Sequence, residues 1–183
     1  MTFPKAEFTF TRWGGGHYRA GMALVRILVD GYSLLHSWPE LARGQPRHSA
    51  AARDELIRWL TLYHDALGTP ITVFFDGQGK GHRFANARAK AGVEVLFSRT
   101  GQTADQMIER TVHNLQPYGE VLVITDDSVE RETVGHFGGM VSSCLNFIQT
   151  VENTLTEMAE DIKQHNRREH YAFKKGVSRS PRV

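Results

Sequence analysis

The chain has 183 residues, of which 40% are hydrophobic and 23% charged, a composition typical of a soluble, single-domain globular protein. No apolar run approaches the ~20 residues of a membrane-spanning helix, and the single cysteine excludes an internal disulfide, so we expect a cytoplasmic protein without a membrane partner. The formal net charge is only +2, but residues 163–183 hold seven basic residues and one acidic residue, so this tail either contacts a polyanion such as nucleic acid or is simply solvated.

The chain begins with a segment unlike the rest. Residues 1–22 mix aromatic residues with the glycine run 14–16 and show no periodicity, which predicts a flexible N-terminal extension. After it come short apolar runs that are rich in β-branched residues and bounded by Gly, Asp or Pro. Such runs predict four buried strands, over 24–29, 71–75, 93–97 and 121–125.

Helical patterns alternate with these strands. Apolar residues recur at helical spacing in three stretches, which predict helices over 49–67, 103–116 and 142–163. Strands that alternate with helices predict an α/β fold with a mostly parallel central sheet and helices on both faces. We therefore expect one domain over residues 23–165, followed by a basic C-terminal tail over 166–183.

Acidic residues stand where the predicted strands end. Asp30 and Asp76 each follow a strand directly, and Asp126 with Asp127 follows another. Asp105 lies in the first turn of the helix after the strand 93–97. Because the carboxyl ends of parallel strands meet at one edge of the sheet, we expect these carboxylates to gather there.

Crowded carboxylates repel one another, so such a cluster is stable as an anion only if a cation neutralises it. Oxygen ligands without cysteine select Mg²⁺ or Mn²⁺, and these ions serve displacement reactions at phosphorus. The alternative is that each aspartate caps a helix or forms a turn, and Asp127 is a good candidate to cap a helix that starts near Ser128. The convergence of several acids favours the metal site.

Several motifs in this order and spacing resemble the YacP-like branch of the NYN domains, which belong to the PIN-like ribonuclease superfamily. The motifs are ILVDGYSLLH (27–36), VFFDG (73–77), VEVLFSRTGQTADQMIER (93–110), VLVITDDSVERETVGHFGG (121–139) and VSS (141–143). The resemblance covers residues 24–165 and implies a PIN-like three-layer α/β sandwich with magnesium-dependent endoribonuclease activity. It also implies RNA as the partner, with mRNA cleaved at the translating ribosome, as in one bacterial branch of the family.

By motif position, the resemblance implies that Asp30, Asp105 and Asp126 bind the metal ion and that Asp76 and Asp127 support them in catalysis. One position departs from the family pattern: the first block usually reads Asp-Gly-Tyr-Asn, and Ser33 replaces the Asn. A hydroxyl can still hydrogen-bond a ligand but lacks the reach of the amide, so weakened or altered activity is one expected consequence.

Candidate RNA-binding residues flank the acidic edge. Tyr32 either stacks on a base or packs as a half-buried core residue, and Ser33 could bond a ligand. Arg99 either pairs with a phosphate or holds a carboxylate in place. A basic cluster follows the second strand, where it either holds RNA phosphates or forms the polar face of a surface helix; its members include Lys80, Arg83, Arg88 and Lys90.

Three functions compete at this point. A metal-dependent endoribonuclease explains the acidic edge together with the basic flank. A catalytically inactive RNA- or ribosome-binding module of the same fold explains Ser33 and the basic tail. A phosphohydrolase acting on nucleotides or sugar phosphates shares the acidic edge, but its usual second aspartate, two residues after the first, is replaced here by Tyr32. The endoribonuclease is the function that the sequence favours.

Overall fold

The computed structural model describes residues 23–77, 92–99 and 101–177, with side chains up to residue 170. The expected N-terminal extension (1–22) therefore lies outside the described residues. The same holds for the basic cluster that includes Lys80, Arg83, Arg88 and Lys90, which stays a prediction from sequence.

Within these described ranges, five parallel strands form one central sheet in the order β3-β2-β1-β4-β5. They are β1 (Leu24–Asp30), β2 (Ile71–Phe75), β3 (Val93–Phe97), β4 (Glu120–Ile124) and β5 (Met140–Ser142). The four predicted strands are confirmed to within one residue at each end. The fifth, β5, was not predicted because a strand of only three residues carries no clear alternation.

Among the described residues, five α-helices surround the sheet, with short 3₁₀ turns at Pro39–Ala42 and Gln116–Tyr118. They are α1 (Gly31–Ser37), α2 (Ala50–Leu67), α3 (Ala104–Leu115), α4 (Ser128–His136) and α5 (Cys144–Val177). The predicted helices over 49–67 and 103–116 are confirmed. The expected end of the last helix at residue 163 is wrong, since α5 continues to Val177 and includes much of the segment assigned to the basic tail.

The helices cover both faces of the sheet, which makes three layers and confirms the predicted α/β fold. One face packs against α1, α2 and α5, and the other against α3 and α4. Adjacent residues of β2 divide between these two cores, because Phe75 belongs to the first and Phe74 to the second. All five residues of β2 are buried, as expected for a parallel strand covered on both sides.

The strand order reverses at β1, since β1 pairs with β2 on one side and with β4 on the other. Such a reversal opens a crevice beyond the carboxyl ends of the two central strands. The chain leaves β1 through Asp30 and Gly31, and a side chain at position 31 would collide with the ring of Phe75. The glycine therefore lets α1 start directly at the strand end and holds Asp30 at the crevice.

In the part of the chain that the structure describes, no helix is both long enough and apolar enough to cross a bilayer.

Candidate metal centre

Asp30 is the last residue of β1 and also the N-cap of α1. Its Oδ1 atom accepts hydrogen bonds from the backbone N–H groups of Tyr32 (3.0 Å) and Ser33 (3.2 Å). Burial raises the pKa of Asp30 to about 6, and the charges of Asp105 and Asp76 add to this rise, although the two N–H donors oppose it. The carboxylate is thus fixed in place but unfavourably charged.

Asp105 is placed by the start of α3. Thr103 caps this helix and forms a capping box with Gln106, which sets the first turn on which Asp105 lies. Burial raises the pKa of Asp105, and the nearby charges of Asp76 and Asp127 raise it further. Asp105 therefore shares the electrostatic environment of Asp30.

Glu130 is the third acid at this edge, on the first turn of α4. Its side chain is buried, with 2% of the residue exposed, and neither carboxylate oxygen has a hydrogen-bond partner within the described residues. Burial raises the pKa of Glu130 to about 7, and the charges of Asp30, Asp105 and Asp127 add to the rise. The Thr125 hydroxyl lies close to the Glu130 carboxylate and partly counteracts the rise in its pKa, but the two groups do not have the geometry of a hydrogen bond.

These three side chains form one cluster, which we call the acidic triad: Asp30, Asp105 and Glu130. Each offers a carboxylate oxygen, and the three oxygens lie within 4.8 Å of one another. An unpartnered buried carboxylate is costly unless a cation or a proton compensates it. An all-oxygen donor set at this spacing suits a hard divalent cation such as Mg²⁺ or Mn²⁺. The residues present therefore fit the metal ion expected from the sequence.

Asp126 lies at the same edge but binds protein groups. Its Oδ1 accepts from the backbone N–H of Cys144 at the start of α5 (2.9 Å), and its Oδ2 accepts from the Ser37 hydroxyl (2.8 Å). Burial acts to raise the pKa of Asp126, but these hydrogen bonds and the charge of Arg131 outweigh it and lower the pKa. Among the described residues, the candidate metal group does not include Asp126, and its assignment as a metal ligand stays a prediction.

Asp76 and Asp127 lie beside the triad and accept hydrogen bonds from backbone N–H groups at the starts of two helices. The Oδ1 of Asp76 accepts from the Ala104 backbone N–H (2.8 Å) and the Ser98 hydroxyl (3.2 Å), which ties the end of β2 to the start of α3. Asp127 caps α4 by accepting from the backbone N–H groups of Val129 and Glu130, as predicted for a helix beginning at Ser128. Both also contribute negative charge, and their roles in catalysis stay predictions.

The candidate RNA-binding residues that the structure describes lie around this edge. Tyr32 is half-buried beside the triad, and Arg99 is exposed beyond β3. The Ser33 hydroxyl accepts a hydrogen bond from the Asp126 backbone N–H (3.1 Å), so it joins α1 to the end of β4. Burial raises the pKa of the Cys144 thiol to about 12, which disfavours the reactive thiolate form.

Sequence reasoning missed Glu130. In the run Asp127-Ser-Val-Glu130, a glutamate three residues after an N-cap has the spacing of an ordinary capping box. The available signal is the helical spacing to Val134, four residues on, which places Glu130 on the apolar face of α4. An acid on a buried helix face next to strand-end carboxylates indicates a ligand.

The three-layer α/β fold with a parallel central sheet is the fold expected of a PIN-like nuclease. The YacP-like NYN domain family matches residues 27–181, and the chain belongs to this family. The resemblance found in the sequence motifs is thereby confirmed.

One sequence match and two structural matches illustrate the relationship. The chain is 30% identical over 130 residues to the uncharacterized protein YacP of Bacillus subtilis (strain 168), covering 69% of this chain and 74% of that protein. The crystal structure of Rae1 (YacP) from Bacillus subtilis superposes with a TM-score of 0.66 at 26% identity, covering 86% of this chain and 88% of the other. A crystal structure of a mutant form of the same Bacillus subtilis protein gives a TM-score of 0.64, with 78% and 84% covered.

Proposed function

We propose that this protein is a metal-dependent endoribonuclease, a hydrolase of RNA phosphodiester bonds, and that the acidic triad holds its Mg²⁺ or Mn²⁺ ion. The observation that carries the proposal is the buried carboxylate of Glu130, which has no hydrogen-bond partner among the described residues and lies beside two aspartates, with one oxygen of each side chain within 4.8 Å of the others. Membership of a nuclease-type family supports the same reaction class.

The side chains of the triad differ in what they contribute. Two N–H donors hold the Oδ1 of Asp30, and the Oδ2 atom receives no hydrogen bond from the described residues, so it is available to a ligand. Burial immobilises Glu130, while Asp105 is carried by the capped first turn of α3. A bound Mg²⁺ or Mn²⁺ supplies water activation and charge stabilisation for in-line displacement at phosphorus.

The proposed substrate is RNA, and more specifically mRNA that is being translated on the ribosome. The resemblance to the YacP-like family supports both statements. The exposed outer part of α5 adds positive charge at Lys163, Arg167 and Arg168, where a polyanion could bind. The proposed location is the cytoplasm, which the single cysteine of the chain favours.

The test compares cleavage of a single-stranded RNA by the wild type and by Asp105→Asn and Glu130→Gln, with Mg²⁺, with Mn²⁺ and with EDTA. We expect metal-dependent internal cleavage by the wild type, and a rate lower by about a hundredfold or more in each variant, since each removes a charged ligand. Glu132→Gln is the matched control, because Glu132 lies exposed on the same helix.

Two outcomes contradict the proposal. Cleavage by Glu130→Gln at the wild-type rate would remove Glu130 from the centre. The second outcome is salt-sensitive binding of RNA or ribosomes by the wild type without cleavage under any divalent ion. It would instead establish the catalytically inactive binding module, the alternative function that explains Ser33.

A further inference from the structure

We propose that the residues Tyr32, Arg47, His48 and Arg53 form a subsite that binds single-stranded RNA beside the acidic triad, and we call it the aromatic–arginine rim. The inference rests on the proposed function and adds to it the form of RNA that is bound and the surface that binds it. The rim lies in α1, the following connection and the first turn of α2.

A line of rings runs along one side of the triad. Tyr32 contacts His48 edge to face, with ring centroids 4.8 Å apart, and contacts Phe75 in the same way at 5.1 Å. Phe75 in turn stacks on Phe97 at 5.5 Å with an interplanar angle of 24°. Phe75 is fully buried, but His48 is exposed and Phe97 is 37% exposed. The line thus has a rigid interior and ring surfaces open to solvent.

The backbone connects these rings directly to the triad. The N–H of Tyr32 donates to the Oδ1 of Asp30. Phe75 and Phe97 are the last residues of β2 and β3, so the rings lie at the carboxyl edge of the sheet, where the triad lies. A polynucleotide bound with one phosphate at the triad therefore passes this edge with its neighbouring nucleotides.

Two arginines add positive charge to the rim. The Nη1 of Arg53 donates to the carbonyl of His48 (2.8 Å), and its guanidinium carbon lies 6.0 Å from the ring centroid of Phe75. The Nη1 of Arg47, which is exposed, donates to the carbonyl of His36 (3.3 Å). Neutral carbonyls orient both guanidinium groups without cancelling their charge.

Neighbouring arginines differ in this respect. Arg43 and Arg58 both pair with Glu55, at 2.9 Å and 2.7 Å. Within the described residues, neither Arg47 nor Arg53 takes part in an ion pair. Their charge is therefore available to phosphate groups, with which arginine forms bidentate hydrogen bonds.

Rings and guanidinium groups next to one another are the usual means of binding single-stranded nucleic acid. Unpaired bases stack on aromatic side chains, and arginines hold the backbone between them. A duplex keeps its bases stacked internally and cannot use the rings. The arrangement therefore favours single-stranded over double-stranded RNA.

The test measures fluorescence anisotropy of a short fluorescein-labelled single-stranded RNA in EDTA, where binding is separated from cleavage. The Arg47→Ala/Arg53→Ala variant is compared with the matched control Arg43→Ala/Arg58→Ala, which removes the same charge from the Glu55 pairs. We expect the rim variant to bind about tenfold more weakly and to lose about 1.4 from its log–log salt slope, since two phosphate contacts are removed. The control is expected to remain near the wild type.

A second variant tests the rings. Tyr32→Leu keeps the backbone N–H to Asp30 and is expected to weaken binding about fivefold without changing the salt slope, because stacking is lost and no charge is. Thermal unfolding of every variant identifies any variant that fails to fold. If the double variant fails to fold, the RNA affinity of the single variant Arg47→Ala, at an exposed position, is compared with the wild type instead.

The outcomes separate this inference from the proposed function. Equal weakening in the rim and control variants, or tighter binding of a duplex of the same sequence, overturns the rim while metal-dependent cleavage by the wild type still supports the nuclease. Failure of the wild type to bind single-stranded RNA at any salt concentration overturns the rim as well.

Discussion

At the scale of single residues, Glu130 is the strongest indication of a metal centre. Its carboxylate is buried without a hydrogen bond from the described residues, next to two other acids. Such a group destabilises the folded chain whenever it is ionised, unless a cation joins it. We interpret this loss of folding stability as a consequence of the proposed metal binding, since a pocket of negative oxygens that is already formed can bind a metal ion without rearrangement.

This cost makes the stability of the metal-free protein depend on pH. The pKa values of Glu130 and Asp30 are raised to about 7 and about 6, so between about pH 4 and pH 7 the folded state holds more protons than the unfolded state. The contribution of these two groups to the free energy of unfolding in EDTA should therefore be largest below about pH 4 and fall as the pH rises through 7, by several kcal/mol, since one pKa unit corresponds to about 1.4 kcal/mol. Urea unfolding at a series of pH values measures this.

The variant Glu130→Gln should flatten that pH profile and make the metal-free protein more stable than the wild type at pH 8. Its exposed neighbour Glu132 provides the control, and Glu132→Gln should follow the wild-type profile. A wild-type profile that rises between pH 5 and pH 8 in EDTA would show that Glu130 has a partner that compensates its charge.

At the scale of secondary-structure elements, Asp126 joins the first and last helices to the sheet. Its carboxylate binds the N-terminus of α5 and the Ser37 hydroxyl of α1, while its backbone N–H binds Ser33. These contacts fix the wall of the crevice next to Asp30. The same strand-end position that predicts a metal ligand therefore also suits a helix cap.

We expect Asp126→Ala to lower the free energy of unfolding by about 1 kcal/mol, because the hydrogen bond to the first N–H of α5 is lost. Asp126→Asn retains an acceptor for the Cys144 N–H and should restore most of that stability. The affinity for Mn²⁺, measured by calorimetry, should change by less than about tenfold in Asp126→Asn, compared with a hundredfold or larger loss in Asp105→Asn. An equal loss in both variants would instead establish Asp126 as a ligand.

The elements differ in how far the sequence predicts them. Continuous β-branched runs identify β1 to β4, because strands buried on both faces need apolar residues throughout. Helix α1 is missed since its seven residues span about two turns, too few to show a period. The outer part of α5 is missed for another reason: residues 156–170 are exposed, so no apolar pattern marks where the helix continues.

At the scale of the whole molecule, topology explains which part of the site is predictable. Parallel strands bring their carboxyl ends together, so Asp30 and the acids after the other strands can be assigned to one edge from sequence alone. Which of them turns inward depends on helix capping and on the packing of α4 against the sheet. Those contacts place the Glu130 carboxylate next to Asp30 and Asp105 and tie Asp126 to the start of α5, and they involve residues far apart in the chain.

The distribution of charge also has a consequence at this scale. The acidic triad repels phosphate groups until its charge is neutralised, whereas the rim and the basic stretch of α5 from Lys163 onward attract them. Metal binding and RNA binding at the triad should therefore support each other.

Anomalous diffraction from a crystal of the protein soaked in Mn²⁺ would locate the metal ion itself. We expect one peak about 2.1 Å from carboxylate oxygens of Asp30, Asp105 and Glu130, and loss of that peak in Glu130→Gln. A fully soaked crystal with no peak at the triad, or with an ion held by Asp126 and not by Glu130, would contradict the assignment of the triad as the metal centre.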